Sequence, residues 1–293
     1  MTVFVKLLRN PLGLIGLLLL LFFTVVALLA PVLAPPKWPG EPYRIPRAGY
    51  RAEPQPPQPG HPFGTAEGQY DIYYGCVWGT RTAWKISFMA VGLAAVIGVI
   101  IGSIAAFYGR WVDEVLMRIT DIFYAFPFLV AAMVLTAVLG QGLDKVIIAL
   151  IAWGWMGFAR LIRGDILTVR ENDYVSAARA AGAGNLRIIV RHILPNAIWP
   201  VFVQATMSVG SIVITAAALS FLGVGAPLGY ADWGQMISYA RNWIIGLQGN
   251  PLAYWYTVVY PGTAITLFCL AWNLVGDALR DILDPRLRGR VSV

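Results

Sequence analysis

The stretch DILTVRENDYVSAARAAGAGNLRIIVRHILPNAIWP, Asp165 to Pro200, is the long polar interval in the second half of an otherwise apolar sequence. It carries Arg170, Arg179, Arg187 and Arg191, two glycines near its middle, and Pro195 where an apolar run resumes. Ala177, Ala178, Ala180, Ala181, Gly182, Ala183 and Gly184 leave almost no side chain on one side of a turn. A short helix with that surface lets another protein approach its backbone, as small residues do where helices pack tightly. Composition alone reads the same interval as an ordinary loop between membrane helices.

The surroundings make it such a loop. Of 293 residues, 58% are hydrophobic and only 13% charged. With a mean hydropathy of +0.66, this is a polytopic membrane protein, not a soluble class. The net charge of +7 would suggest nucleic acid in a soluble chain. Here the cations sit between apolar runs, so the charge reads as topology and no nucleic-acid partner is expected; the partner is membrane lipid. Cys76 lies before a span and Cys269 within one, so neither a disulfide nor a metal site is expected. His61 and His192 lack nearby ligand types in the sequence and read as structural or surface residues.

Outward from the polar interval, the spans follow in order. Residues 11–34 carry no charge after Lys6 and Arg9. The run exceeds the h-region of a signal peptide and matches the ~20 residues a bilayer needs, so it reads as a retained first helix. Residues 35–81 hold most of the prolines and many aromatics, among them Trp38, Tyr43, Tyr50 and Trp78. They read as an extended extracytoplasmic segment docked at the interface, where Tyr and Trp concentrate. A five-helix core is expected over 82–280. Its second span covers 82–108, with Gly92, Gly98 and Gly102 for close packing, and a turn follows over Gly109–Met117. The third span, to Leu139, contains Pro127, expected as a kink. The fourth, fifth and sixth cover about 145–166, 197–223 and 256–276. The loop 165–196 lies on the inner side, the loop 224–256 on the outer side, and a tail over 281–293 is inside. Arg118 and Asp121, three apart, are expected to pair. With both termini cytoplasmic, 14 of the 22 Lys/Arg fall inside: Lys6, Arg9, Arg110, Arg118, six from Arg160 to Arg191 and four from Arg280 to Arg290. The sign agrees with the positive-inside rule.

Nothing in the sequence forms a catalytic constellation: no Walker A loop, no His/Cys cluster and no paired carboxylates within a span. Asp121 is the carboxylate placed nearest a span. A proton-coupled carrier uses ionisable groups inside the membrane, and a channel needs a polar pore lining. The chain offers mainly Ser, Thr and Asn, so energy is expected from another subunit.

The spacing of Ala177-Ala178, three residues, Gly182, then Leu194-Pro195 resembles the EAA loop of ABC-importer permeases. The run YVSAARAAGAGNLRIIVRHILPN is similar to the oligopeptide/dipeptide/nickel permease family, C-type subunit. HPFGT (61–65), GRWVDEVLM (109–117), ALSFLGVG (218–225), Trp233-Gly234 and GDALRDILDPRLRGR (276–290) match further family phrases, so the likeness covers roughly Gly13 to Arg290. The chain departs at Ser176, where the signature usually has Glu, at His192, and at Gln69-Tyr70, where the family has Gly-Arg. The resemblance implies an all-α type I ABC-importer permease with six transmembrane helices, in the bacterial cytoplasmic membrane. It implies a B-type permease partner, two ATPase subunits that bind the ATP and Mg, and an extracytoplasmic solute-binding protein. No cofactor is expected in this chain. The ATPase contact is expected at Tyr174, Ala177, Ala178, Gly182, Asn185, Leu186 and Arg187, with Pro195 passing movement to the spans. The implied cargo is a di- or oligopeptide; nickel, glutathione and oligosaccharide are the alternatives within the same machinery.

Overall fold

The computed structural model describes residues 3–244, 250 and 252–283. The tail phrase from residue 284 onward, and residues 245–249 and 251 of the loop 224–256, lie outside the described residues. Those described are helical throughout, joined by loops with four isolated bridges and no strand.

A short α1 (Val3–Arg9) precedes α2 (Pro11–Leu33). Asn10 starts α2: its side-chain oxygen accepts from the amides of Leu12 at 3.0 Å and Gly13 at 3.2 Å, and Pro11 supplies a preset φ at the first helical position. The next helix begins ten residues before the expected 82. Its first part, α3 (Ile72–Ile86), is capped by Asp71, which accepts from the Tyr74 amide at 2.9 Å. It passes through a π turn (Ser87–Val91) into α4 (Gly92–Tyr108), so that Ile72–Tyr108 is one continuous 37-residue helix. The early start follows from the sequence: the prolines stop at Pro62, and Ile72–Thr80 contains nothing to break a helix.

The segment Gly109–Met117 is not a turn. Gly109, at φ 61°, reverses the chain, and α5 (Arg110–Tyr124) begins at once. Nor does Pro127 kink a single third span. It separates α5 from α6 (Phe128–Leu139), and the two meet at 84°. Proline disfavours the helical region for the residue before it, so the break falls ahead of the ring. Then follow α7 (Leu143–Val169), α8 (Asp173–Ala180), α9 (Asn185–Ile188), a π turn (Ile189–Ile193), α10 (Leu194–Ala197), α11 (Trp199–Phe221), α12 (Trp233–Tyr239) and α13 (Tyr256–Leu283). Five helices are long and apolar enough to cross a bilayer, and the bent α5–α6 pair makes a sixth if counted as one span.

Glycine brings helices of the bundle into close contact along its seams, two of which show it best. A Cβ at Gly98 would lie 2.5 Å from the Trp155 carbonyl and from Phe158 Cβ, and one at Gly102 would meet the Ala159 carbonyl and Ile162. Backbone therefore touches backbone between α4 and α7. Between α2 and α13, a Cβ at Gly16 would lie 2.9 Å from the Ala271 carbonyl and from Val275. In lipid no apolar area is withdrawn from water, so such fit carries the association.

The end of the bundle that carries residues 35–71 is closed by a second core around Ile45, Ile72, Trp78, Met236 and Tyr256. Trp78 donates its indole N–H to the Ala34 carbonyl at 2.8 Å, Trp233 donates to the Cys76 carbonyl at 3.1 Å, and the Thr82 hydroxyl donates to the Ala231 carbonyl at 2.7 Å. The Ala231 amide donates to the Tyr43 carbonyl at 2.7 Å, and the Ile45 amide to the Gly229 carbonyl at 2.8 Å. The proline-rich segment is thus a plate bonded to α3, through the Tyr74 hydroxyl on the Pro42 carbonyl at 2.6 Å, and to the loop ahead of α12. Asp232, which caps α12 through the Gln235 amide at 2.9 Å, is buried here. Burial holds its carboxyl above the ordinary carboxylate range, opposed by the bonds from Gln235, Ser220 and Gly234.

Gly98→Leu is expected to separate α4 from α7 and destabilise the protein by about 1–3 kcal/mol as an overpacked seam. Gly92→Ala, where a Cβ meets nothing within 4 Å, is expected to hold or raise stability by up to about 1 kcal/mol as a helix-interior change; thermal unfolding in detergent compares them.

Candidate functional site

The loop between α7 and α11 has two sides. On the underside, Val175 (1% exposed), Ile188 (0%) and Ile193 (0%) belong to the main bundle core. Truncating one such buried Ile side chain to Ala typically costs about 2–5 kcal/mol. On the outer side, Tyr174 is 42% and Leu186 75% exposed, and Ala177, Gly182, Asn185, Arg187 and Pro195 are also exposed. Of the seven residues expected at the contact and Pro195 beside them, Ala178 alone is half-buried. The face is apolar in Tyr174, Leu186 and Val190, and flanked by Arg179, Arg187 and Arg191, all exposed.

Gly182 has a local reason to be glycine. Its φ is +79°, and it ends α8 in a two-bond cap: its amide donates to the Arg179 carbonyl at 3.0 Å, and the Ala183 amide to the Ala178 carbonyl at 3.1 Å. This is the Schellman geometry, in which the residue after the helix is left-handed. The single short helix expected over about 172–187 is therefore two, α8 and α9, hinged at this cap. A Cβ at Gly182 or Gly184 would meet nothing within 4 Å, so the space above both is open.

Pro195 shapes the far limb. It has no N–H, so the Arg191 carbonyl loses its helical partner. The backbone widens into the π turn Ile189–Ile193, and the Asn196 side-chain amide donates to the His192 carbonyl at 2.8 Å. At the near limb, Arg170 donates to the Ala106 carbonyl at 2.6 Å, fastening the end of α7 to the last turn of α4.

Two ion pairs lock α5 to α7. Arg163 donates from Nε and Nη2 to the two oxygens of Asp113, both at 2.6 Å. Arg160 bonds Asp121 and lies 4.1 Å above the Tyr124 ring. This corrects the expected Arg118–Asp121 pair: Asp121 turns towards α7, where a cation lies over an aromatic face, and Arg118 is exposed. It also corrects the view of Asp121 as the carboxylate nearest a span. Asp113 sits in the same clamp, and Asp165 lies within α7 with Oδ2 buried and without a donor among the described residues. The sequence held a signal for the clamp, since Arg160 and Arg163 are three apart on one face of a spanning helix. Their partners lie about forty to fifty residues upstream, beyond the reach of local periodicity.

Comparison with known proteins fits this arrangement. The family profile "Binding-protein-dependent transport system inner membrane component" matches residues 98–289, and "N-terminal TM domain of oligopeptide transport permease C" matches residues 2–57. The dipeptide transport system permease protein DppC of Alkalihalophilus pseudofirmus is 38% identical over 97% of this chain and 89% of that protein. The oligopeptide transport system permease protein OppC of Bacillus subtilis is 35% identical over 95% and 87%. The glutathione transport system permease protein GsiD of Pectobacterium atrosepticum is 36% identical over 79% and 75%. The inward-facing MetNI methionine ABC transporter aligns with a TM-score of 0.57 and 17% identity, covering 72% of this chain and 97% of that one, a likeness of fold. The chain is a multi-pass protein of the bacterial inner membrane and belongs to the binding-protein-dependent transport permeases, in the branch with the N-terminal domain of oligopeptide permease C.

Proposed function

We propose that the chain forms one half of the translocation pathway of an ATP-driven importer for di- or oligopeptides, and that the loop 165–196 docks an ATPase subunit on the cytoplasmic side. The observation that carries this reading is the two-sided loop: a buried underside that fixes it to the bundle and an open face of small, apolar and basic residues. In this reading both termini are cytoplasmic, and the plate over residues 35–71 faces outward to meet a solute-binding protein. A B-type permease completes the pathway, and two ATPase subunits bind the ATP and Mg.

The mechanism follows from the connections. Closure of the ATPases on ATP pulls the gripped loop. Val175, Ile188 and Ile193 pass that movement to the bundle core, Arg170 to α4, and the Asp113–Arg163 clamp to α5. The linked helices rock as a body between inward- and outward-open states, the alternating access of transporters. Tyr174 and Leu186 supply apolar contact area, and Ala177, Ala178 and Gly182 leave room for the partner.

An ion-coupled carrier or channel is the reading of another class. The acids α5 presents to α7 are held locally, Asp113 by Arg163 and Asp121 by Arg160, and Asp165 lies near the loop end of α7 away from its middle. The arrangement favours movement driven from the loop.

Gly182→Trp, expressed with all partner subunits, is expected to cut copurifying ATPase by about tenfold or more, ~1.4 kcal/mol of association, and to abolish uptake while the permease still inserts. Gly182→Ala loses only its relaxed left-handed backbone, about 1–2 kcal/mol of local stability, and is expected to retain the ATPases. Unchanged ATPase association and uptake in Gly182→Trp would defeat the docking assignment. On cargo, the reconstituted complex with its binding protein is expected to raise its ATPase rate with short peptides and not with nickel, glutathione or oligosaccharide. Stimulation by one of those three instead would move the cargo assignment and leave the docking intact.

A further inference from the structure

A cavity of about 660 Å³ opens between the proline-rich plate and the loop after α11. Lys37, Arg44 and Arg47 share its lining with Trp38, Tyr50 and Tyr70. The cations are held by the aromatic rings. Arg44 lies 4.6 Å above the Trp38 ring, Lys37 Nζ is 5.5 Å from the same ring, and Arg47 lies 4.4 Å above Tyr70 while also bonding its hydroxyl. A guanidinium held over a ring keeps N–H donors free for another acceptor. Arg44 gives one of its five donors to Glu41 at 3.0 Å, and Arg47 gives one to Tyr70. Among the described residues, Glu41 is the one carboxylate paired with any of the three cations, and that pair is exposed on both sides.

We propose that this cavity is an anion site that takes a phosphate or carboxylate group. Three like charges in one concavity raise the local positive potential, and an entering anion relieves it. The two arginine forks match the planar or tetrahedral oxygens of such groups, which bind them through paired, charge-assisted bonds. Ring stacking holds the forks in place before the ligand arrives, so little side-chain freedom is lost on binding. Two sources share this chemistry. Lys37 follows the end of the apolar, span-length α2 at Leu33 by four residues, within reach of a headgroup where that helix would leave the bilayer, and the cavity is also open to a free solute. The site stands apart from the coupling loop and does not depend on the cargo.

The test uses the full importer complex in nanodiscs and the double variant Lys37→Gln/Arg44→Gln. Both side chains are exposed, and Arg47 stays with Tyr70, so unfolding temperature is expected to be unchanged. In phosphatidylcholine discs, inorganic phosphate and N-acetylalanine are titrated by calorimetry, with N-acetylalanine amide as the uncharged control. In discs mixed with phosphatidylglycerol, retained lipid is counted by native mass spectrometry. The expected result is loss of binding by at least about tenfold in the variant in one arm, with the amide silent in both proteins. A drop in the lipid arm alone assigns a headgroup; a drop in the soluble arm alone assigns a free anion. Equal anion binding and lipid retention in both proteins would overturn the proposal. So would a variant that loses only its association with the solute-binding protein, since the cations would then serve a protein surface.

Discussion

Direct backbone contact between α4 and α7 is the constraint on which the rest of the molecule depends. Gly98 and Gly102 present no side chain to Trp155, Phe158 and Ala159, and the two helices close to that distance. Inside a bilayer, attraction between apolar surfaces is matched by attraction to lipid, so closeness and fit decide which helices stay together. Both ends of the protein hang from this contact. Through α3, α4 is continuous with the plate of residues 35–71. At its other end, α7 runs into α8, with Arg170 bonded back to the Ala106 carbonyl.

The loop 165–196 combines fixity with access. Its buried valine and isoleucines leave it no freedom to slide over the bundle, while its Schellman cap closes α8 without covering the outer face. At Pro195 the Arg191 carbonyl gives up its helical partner, and the loop stays fixed through its buried underside. The arginine–aspartate clamp ties in a further helix: α5 carries few buried residues, and it is held to α7 by Asp113 and Asp121 together with Phe123 against Trp153 and Trp155.

The parts legible from the sequence were those governed by local physics. Long apolar runs gave the spans, small residues gave the open face of the loop, and prolines marked the segment that runs without α-helix ahead of α3. The parts that were not legible depend on pairs distant in the chain. Asp121 could be matched from sequence only to Arg118, because Arg160 comes into reach only after α7 folds back beside α5. The helix start at Ile72 was hidden by proline-rich neighbours whose influence ends at Pro62. Gly182 was assigned to close approach of a partner, and its backbone angle adds a reason that spacing alone could not supply. Pro127 was legible as a kink within one span and not as the 84° break between two helices, since local sequence does not set the angle at which α5 and α6 meet.

The pairing of α2 with α13 bears on how the protein is made. Gly13 and Gly16 wait for Ala271, Val275 and Ala278, which follow in the chain by more than two hundred residues. At ordinary rates of translation that interval is on the order of tens of seconds. Throughout it the first helix lacks the α13 partners of its glycine face, with only Leu7 of α1 already at hand beside Gly13. The nascent chain can acquire the plate of residues 35–71 early, through Trp78 and Ala34, but α2 meets α13 only when the ribosome has nearly finished. A chaperone or insertase that shields small-residue faces would find its substrate in that window.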